Sequence, residues 1–269
     1  MSTRIDSRRT GGVAVVTIDA PDRRNSLTLD LSAQLAAAVA EAERDESVHA
    51  LVVTGTPPAF CAGADLTALG DAGKDEGLRA IYEGFLSVAR CSLPTIAAVG
   101  GAAVGAGLNL ALAADVRLAG PGARFDARFL QLGIHPGGGM TWMLQRAVGQ
   151  QRATAMTLFG EILDAPAAVS AGLALRLVEG DHARLVDAAV ELAGPAVEAP
   201  RELVRTVKRT MATTRTLTAH EAAVEEELVP QVASISSPEF ARRLAAMRQR
   251  IGGDRAADGE SRAVGNDSD

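Results

Sequence analysis

LPTIAAVGGAAVGAGLNLALAADVRLA, residues 93–119, places a strand, a glycine-rich turn, a helix and another strand in close succession. Pro94 precedes a short apolar strand, Thr95 to Val99, which runs into GGAAVGAG. An apolar, alanine-rich helix follows from about Gly107 to Ala114, and Asp115 to Ala119 is again strand-like. Upstream, VAVVTID (Val13 to Asp19) is β-branched and short, so it reads as a strand. PDRRNS (Pro21 to Ser26) is a turn, after which Thr28 caps a helix with apolar Leu31, Leu35, Val39 and Ala42 at three- and four-residue steps. Val48 to Thr54 is a second strand leading into GTPPAFCAGADL, and a helix is expected over roughly 76–90. Strands alternating with helices predict an α/β fold with a mostly parallel sheet.

Past Gly139 the pattern is mainly helical: 140–148, 151–159, 165–171, 183–194 and 200–213, with LALRLV (Leu173 to Val178) as a short edge strand. Two further helices, 219–232 and 238–249, are charged on one face. Residues 252–269 carry five acids against two arginines, and read as a solvated acidic tail. The expected organisation is a core over 1–195, a helical region over 196–251 and that tail.

Composition excludes several classes. Lys and Arg total 27 against 33 Asp and Glu, and aromatics are 3%. An acidic chain poor in rings does not suit nucleic acid. Its most apolar region is broken by Pro94 and glycines, so no membrane span is expected. The first residues, MSTRIDSRRTGG, lack the apolar core of a secretory leader, and a cytoplasmic location is expected. Cys61 and Cys91 have neither disulfide-framework nor zinc-ligand spacing, and read as small buried hydrophobes. GAGLNL (Gly105 to Leu110) has Leu110 where a dinucleotide fingerprint needs its third glycine. Phosphate-loop, G-x-S-x-G and H-E-x-x-H motifs are absent.

The glycine turn has one further chemical use. A helix starting just after it aims unpaired N–H groups and the positive end of its dipole at whatever lies in front. Facing a carbonyl oxygen that gains charge, this is an oxyanion hole. Close helix–strand packing accounts for the same small residues, and composition alone favours it over the oxyanion hole.

AFCAGADL (Ala59 to Leu66) followed by the 93–119 stretch closely resembles the enoyl-CoA hydratase/isomerase, or crotonase, superfamily. The resemblance continues through ARF (Ala123 to Phe125), LGIHPGGG (Leu132 to Gly139), RAVGQQRA (Arg146 to Ala153) and FGEILDAPAAVSAGLALRLV (Phe159 to Val178). PDRRNSL also fits, so about residues 10–250 match in order and spacing. It implies a spiral of ββα repeats with a C-terminal helical part that trimerises, as a homotrimer or dimer of trimers. It further implies acyl-CoA thioester ligands, with coenzyme A part of the substrate and no separate cofactor or metal.

Carried over position by position, the resemblance puts the oxyanion-hole N–H groups on Ala64 and Ala106. The adenine of CoA would lie against Ala62 to Asp65, and its phosphates near Arg23 and Arg24, with Lys208 a further phosphate contact from a neighbouring subunit. The two glutamates that family hydratases use to place and deprotonate water fall on Asn109 and Phe129. An amide exchanges no proton near neutral pH and a phenyl ring has no polar atom, so ordinary hydration is not expected. His135 and Asp126 are the substitutes the sequence offers for proton transfer. Trp142, Met143 and Phe129 are expected to line an acyl pocket or simply to belong to the core. The alternative function is a non-catalytic acyl-CoA binder, carrier or regulatory subunit.

Overall fold

The computed structural model of the chain describes residues 3–65 and 74–249. It divides into two compact units, Met1–Arg205 and Thr206–Asp269, whereas the sequence placed the first boundary at 195. The acidic tail expected over 252–269 lies outside the described residues.

In the first unit β1 (Arg4–Thr10) and β2 (Val13–Asp19) form an antiparallel pair, and α1 (Leu29–Arg44) follows. The chain then repeats one pattern: β3 (Ala50–Gly55), β4 (Ala59–Cys61) and α2 (Lys74–Arg90); β5 (Thr95–Val99), β6 (Ala102–Val104) and α3 (Ala106–Ala113); β7 (Val116–Ala119), β8 (Arg124–Asp126) and α4 (Met140–Leu158). The first strand of each repeat joins a large sheet, ordered β1-β2-β3-β5-β7-β10, and the second joins a small sheet, β4-β6-β8-β9. β9 (Leu163–Asp164) and β10 (Arg176–Leu177) close the two edges around α5 (Ala165–Ser170), and α6 (His182–Glu198) ends the layer. This is the crotonase-type ββα spiral.

Alternation along the large sheet sorts its side chains. Val13, Val15, Ala50, Val52, Ile96 and Ala98 pack with Leu185, Val186 and Ala189 of α6. Val16, Ile18, Leu51, Val53, Ala97 and Val99 face a larger core with Leu35, Phe60, Phe85, Leu108 and Phe125. Burial on both faces is why these parallel strands read as continuous apolar runs. α4 contains a kink at Gly149 (φ 74°), where the sequence had separated two helices.

His182 opens α6 just after its N-cap Asp181, and its Nδ1 is buried without a hydrogen-bond partner. Burial holds its pKa below the ordinary imidazole value, with Asp181 opposing that shift. Above about pH 6.5 the ring is neutral in both folded and unfolded chains. As pH falls below that value the unfolded chain takes up the proton first, so stability declines down to the folded-state pKa. We expect the melting temperature to drop on acidification through this window, and His182→Asn to reduce that drop in a thermal-melt series.

The second unit continues α7 (Arg201–Thr214), which begins in the first, and adds α8 (His220–Ile235) and a helix over 238–249. Neither α7 nor α8 has a buried residue. Val229 and Met211 are 74% and 67% exposed.

Candidate active site

The site forms where the small sheet ends and α3 begins. PDRRNSL is folded against the start of β4 by Asn25, which is fully buried in a left-handed conformation (φ 60°). Its Oδ1 accepts from Ala20 N at 3.0 Å, and its Nδ2 donates to Thr56 O at 2.8 Å and Ala59 O at 2.7 Å. This clamp was not singled out in the sequence; the αL tendency of Asn inside a turn cluster was the available clue. Asn25→Ala removes three hydrogen bonds at once, those of Ala20 N–H, Thr56 O and Ala59 O, so we expect a loss of about 3 kcal/mol in denaturant unfolding.

Held this way, the turn pairs with the residues after β4. Leu27 N donates to Gly63 O and Asp65 N donates to Leu27 O, both at 2.8 Å. Strand pairing through Gly63 and Asp65 turns the Ala64 N–H to the opposite side. Gly63 lies against Val104 at the end of β6: a Cβ on it would be 3.2 Å from Val104 O. No acceptor takes the Ala64 N–H among the described residues.

From β6 the chain turns at Gly105 (φ 52°, ψ −113°), a conformation closed to residues with a Cβ, and enters α3 at Ala106. Gly107 then presses onto the end of β4; a Cβ there would lie 1.9 Å from Cys61 O. Close packing and the N–H arrangement therefore coexist, since the same small residues bring the start of α3 against the segment leading to Ala64. Ala106 N–H likewise has no acceptor among the described residues. The far end of α3 is satisfied by Arg117, whose guanidinium donates to Ala114 O at 2.8 Å and Leu173 O at 2.6 Å. Burial lowers that guanidinium's pKa, with Asp115 opposing.

Asn109 is one turn into α3, 1% exposed. Its Nδ2 donates to Gly137 O at 2.9 Å, and its Oδ1 has no partner. Phe129 is half-buried, with its Cζ 3.9 Å from where a Cβ on Gly105 would stand. Both positions thus border the start of α3, in an apolar setting completed by Phe85.

The other candidates occupy several segments. His135 is exposed, with Nδ1 2.7 Å from Pro136 O, and no hydrogen bond joins it to Ala64, Ala106 or Asn109. Asp126 is buried and accepts from Arg128 Nε at 2.8 Å; its carboxylate lines a pocket of about 430 Å³ with Ala102, Val104, Arg124 and Asp164. Ala103 and Phe125, the intervening residues, point into the core, so this pocket is on the small sheet's opposite face. Arg23 forms a 3.0 Å ion pair with Asp65, while Arg24 is exposed and its carbonyl accepts from Ala62 N at 3.0 Å. Lys208 is on α7 in the second unit, partly buried. Trp142 is 47% exposed beneath Arg146, whose guanidinium carbon is 3.9 Å from the ring centroid. Met143 packs against the core from its rim.

Cys61 and Cys91 are both buried, as read from the sequence. Desolvation pushes the Cys61 thiol up to about 12, which removes it as a nucleophile. Among the described residues no three His, Cys, Asp or Glu gather as a metal site, and no helix is long and apolar enough to cross a membrane.

Comparison with known proteins agrees with this architecture. The enoyl-CoA hydratase/isomerase family model matches residues 8–246. The Mycobacterium tuberculosis protein named "Probable enoyl-CoA hydratase EchA14" is 57% identical over 246 residues, covering 88% of this chain and 94% of that one. The 1,2-epoxyphenylacetyl-CoA isomerase of Escherichia coli is 36% identical over 189 residues, covering 68% and 71%. Among solved structures, the enoyl-CoA hydratase of Bacillus anthracis superposes with a TM-score of 0.84 at 25% identity, covering 92% of this chain and 96% of that one. Sequence match, spiral topology and the paired glycine turns converge: the chain belongs to the enoyl-CoA hydratase/isomerase family.

Proposed function

We propose that this chain binds an acyl-CoA thioester and stabilises its enolate between the backbone N–H groups of Ala64 and Ala106. The observation that carries this reading is that both N–H groups, on segments packed together by Gly63 and Gly107, have no acceptor among the described residues. Preorganised donors cost no reorganisation when the thioester oxygen gains charge, and α3 adds the positive end of its dipole. On this reading CoA lies along Ala62 to Asp65, where Arg23, already paired with Asp65, and exposed Arg24 meet its phosphates. Lys208 contributes a phosphate contact from a second copy. The apolar side chains that α7 and α8 leave exposed favour assembly into a homotrimer or a dimer of trimers.

The chemistry at the α-carbon is lyase- or isomerase-type, but ordinary water addition is weak, since neither Asn109 nor Phe129 carries an acid or base that titrates near neutral pH. That same observation favours a second reading, a non-catalytic acyl-CoA binder or regulatory subunit. Affinity for acyl-CoA measured beside turnover of 2-enoyl-CoA separates the two. Binding with product formation supports the enzyme, binding alone supports the carrier, and no binding removes both.

A further inference from the structure

We propose that the hydroxyl of Tyr82, on α2, is the catalytic proton carrier of this site, and that Asn109 positions the turn against which it rests; this deepens, and rests on, the enolate-cradle reading. Tyr82 is the only tyrosine in the chain. The packing of Gly137 fixes where its hydroxyl is: a Cβ on that glycine would lie 2.0 Å from Tyr82 Oη. Gly137 is also the residue whose carbonyl receives the Asn109 amide at 2.9 Å. The neighbouring Gly138 touches the same group, since a Cβ there would be 2.3 Å from Phe85 Cζ and 2.6 Å from Asn109 Nδ2. Tyr82 and Phe85 complete the cluster with ring centroids 5.5 Å apart.

These contacts place a proton-bearing oxygen beside Gly137, whose carbonyl is bonded to Asn109 in the first turn of α3, the turn that begins with the Ala106 N–H. Among the described residues no group hydrogen-bonds the Tyr82 hydroxyl. The Asn109 Oδ1 is buried and equally unpartnered, an acceptor left for a water or a substrate donor. An amide locked onto Gly137 O cannot move a proton, but it holds the Gly137–Gly138 turn in register with α2. Phe129 and Phe85 keep the surroundings apolar, where a phenol is the one titratable side chain that this cluster contains.

The transfer balances with solvent as the only co-reactant. Once solvent hydroxide has taken the phenol proton as water, the Tyr82 oxygen takes a proton from the α-carbon of an acyl-CoA. The C–H pair becomes the enolate double bond, the negative charge passes to the thioester oxygen at the two N–H groups, and a new O–H is left on Tyr82. In reverse the O–H breaks, the enolate pair forms C–H, and the phenolate is restored.

This step is read directly as deuterium entering the α-carbon of butanoyl-CoA in D2O with the full chain, followed by mass spectrometry. We expect exchange by the wild type, and Tyr82→Phe to slow it about 10²–10⁴-fold while the dissociation constant for butanoyl-CoA stays within about threefold. Since there is one tyrosine, replacing tyrosine throughout with 3,5-difluorotyrosine alters this phenol alone. Its greater acidity should move the alkaline limb of the exchange–pH profile to lower pH, a change that packing alone does not produce. Exchange unaltered in Tyr82→Phe, or a profile unmoved by fluorination, overturns the role of Tyr82 and leaves the cradle standing. Binding without exchange overturns Tyr82 in favour of the carrier reading, and failure to bind butanoyl-CoA overturns the cradle as well.

Discussion

Introducing Asn109→Glu together with Phe129→Glu is expected to raise water addition to crotonyl-CoA by 10²-fold or more, within the 10²–10⁴ range of positioned acid–base groups. Each substitution restores a carboxylate at a position bordering the start of α3. Asn109 is there through its bond to Gly137 O, and Phe129 through its ring over Gly105. The gain has a structural cost. A carboxylate cannot donate to Gly137 O, so Asn109→Glu leaves that carbonyl without its partner and introduces charge where 1% of the side chain's surface was exposed. We expect about 1–3 kcal/mol of destabilisation from this change alone. Phe129 is half-buried and its replacement is more easily solvated. Neither single variant should match the double one, because one carboxylate cannot both place the water and exchange its proton. The assay is loss of the conjugated thioester absorbance, with a melting curve to verify folding. A folded double variant no faster than wild type would mean that these positions do not flank the reacting carbons.

Different parts of this arrangement were legible in the sequence to different degrees, for physical reasons. Strands β2, β3, β5 and β7 are buried on both faces and rich in β-branched or small apolar residues, so composition alone reveals them. The small-sheet strands β4, β6 and β8 are three residues each, bounded by glycine and proline turns, and show no period to read. They appeared as loops, although they carry Ala64 and Ala106 at their ends. β1 was missed because it is an edge strand of charged, exposed residues, which is how an edge avoids unwanted pairing. The glycine turn announced a helix start with unpaired N–H groups, but only the family resemblance said which oxygen it faces. Sequence also suggests His135 and Asp126 from their place in the motif; tertiary packing leaves His135 exposed beside Pro136 O and pairs buried Asp126 with Arg128, which the motif does not announce. Tyr82 falls within the helix expected over 76–90, but its proximity to Gly137 is a product of tertiary packing alone.

The sharpest test of the cradle is Ala106→Pro, for which we expect substrate turnover, or α-carbon exchange, to fall about 10²–10³-fold, equivalent to about 2.7–4 kcal/mol. Ala106 is the first residue of α3, the position where proline is best tolerated because the missing N–H has no helical partner. The residue before a proline must avoid the helical region, and Gly105 already does so at φ 52° and ψ −113°, a mirror-image extended conformation. The helix should therefore persist, with a melting temperature within a few degrees of wild type, while the one donor disappears. The proline ring also occupies the space in front of that nitrogen, which acts in the same direction. Ala106→Gly supplies the control: it keeps the N–H and removes only a methyl group that is 9% exposed, so its turnover should stay close to wild type. Affinity for acyl-CoA should fall far less than turnover in Ala106→Pro, because the carbonyl oxygen carries little charge until the enolate forms. Equal losses in both would make Ala106 a binding contact, and an undiminished rate in a folded Ala106→Pro protein would place the charge-stabilising donors elsewhere in the molecule.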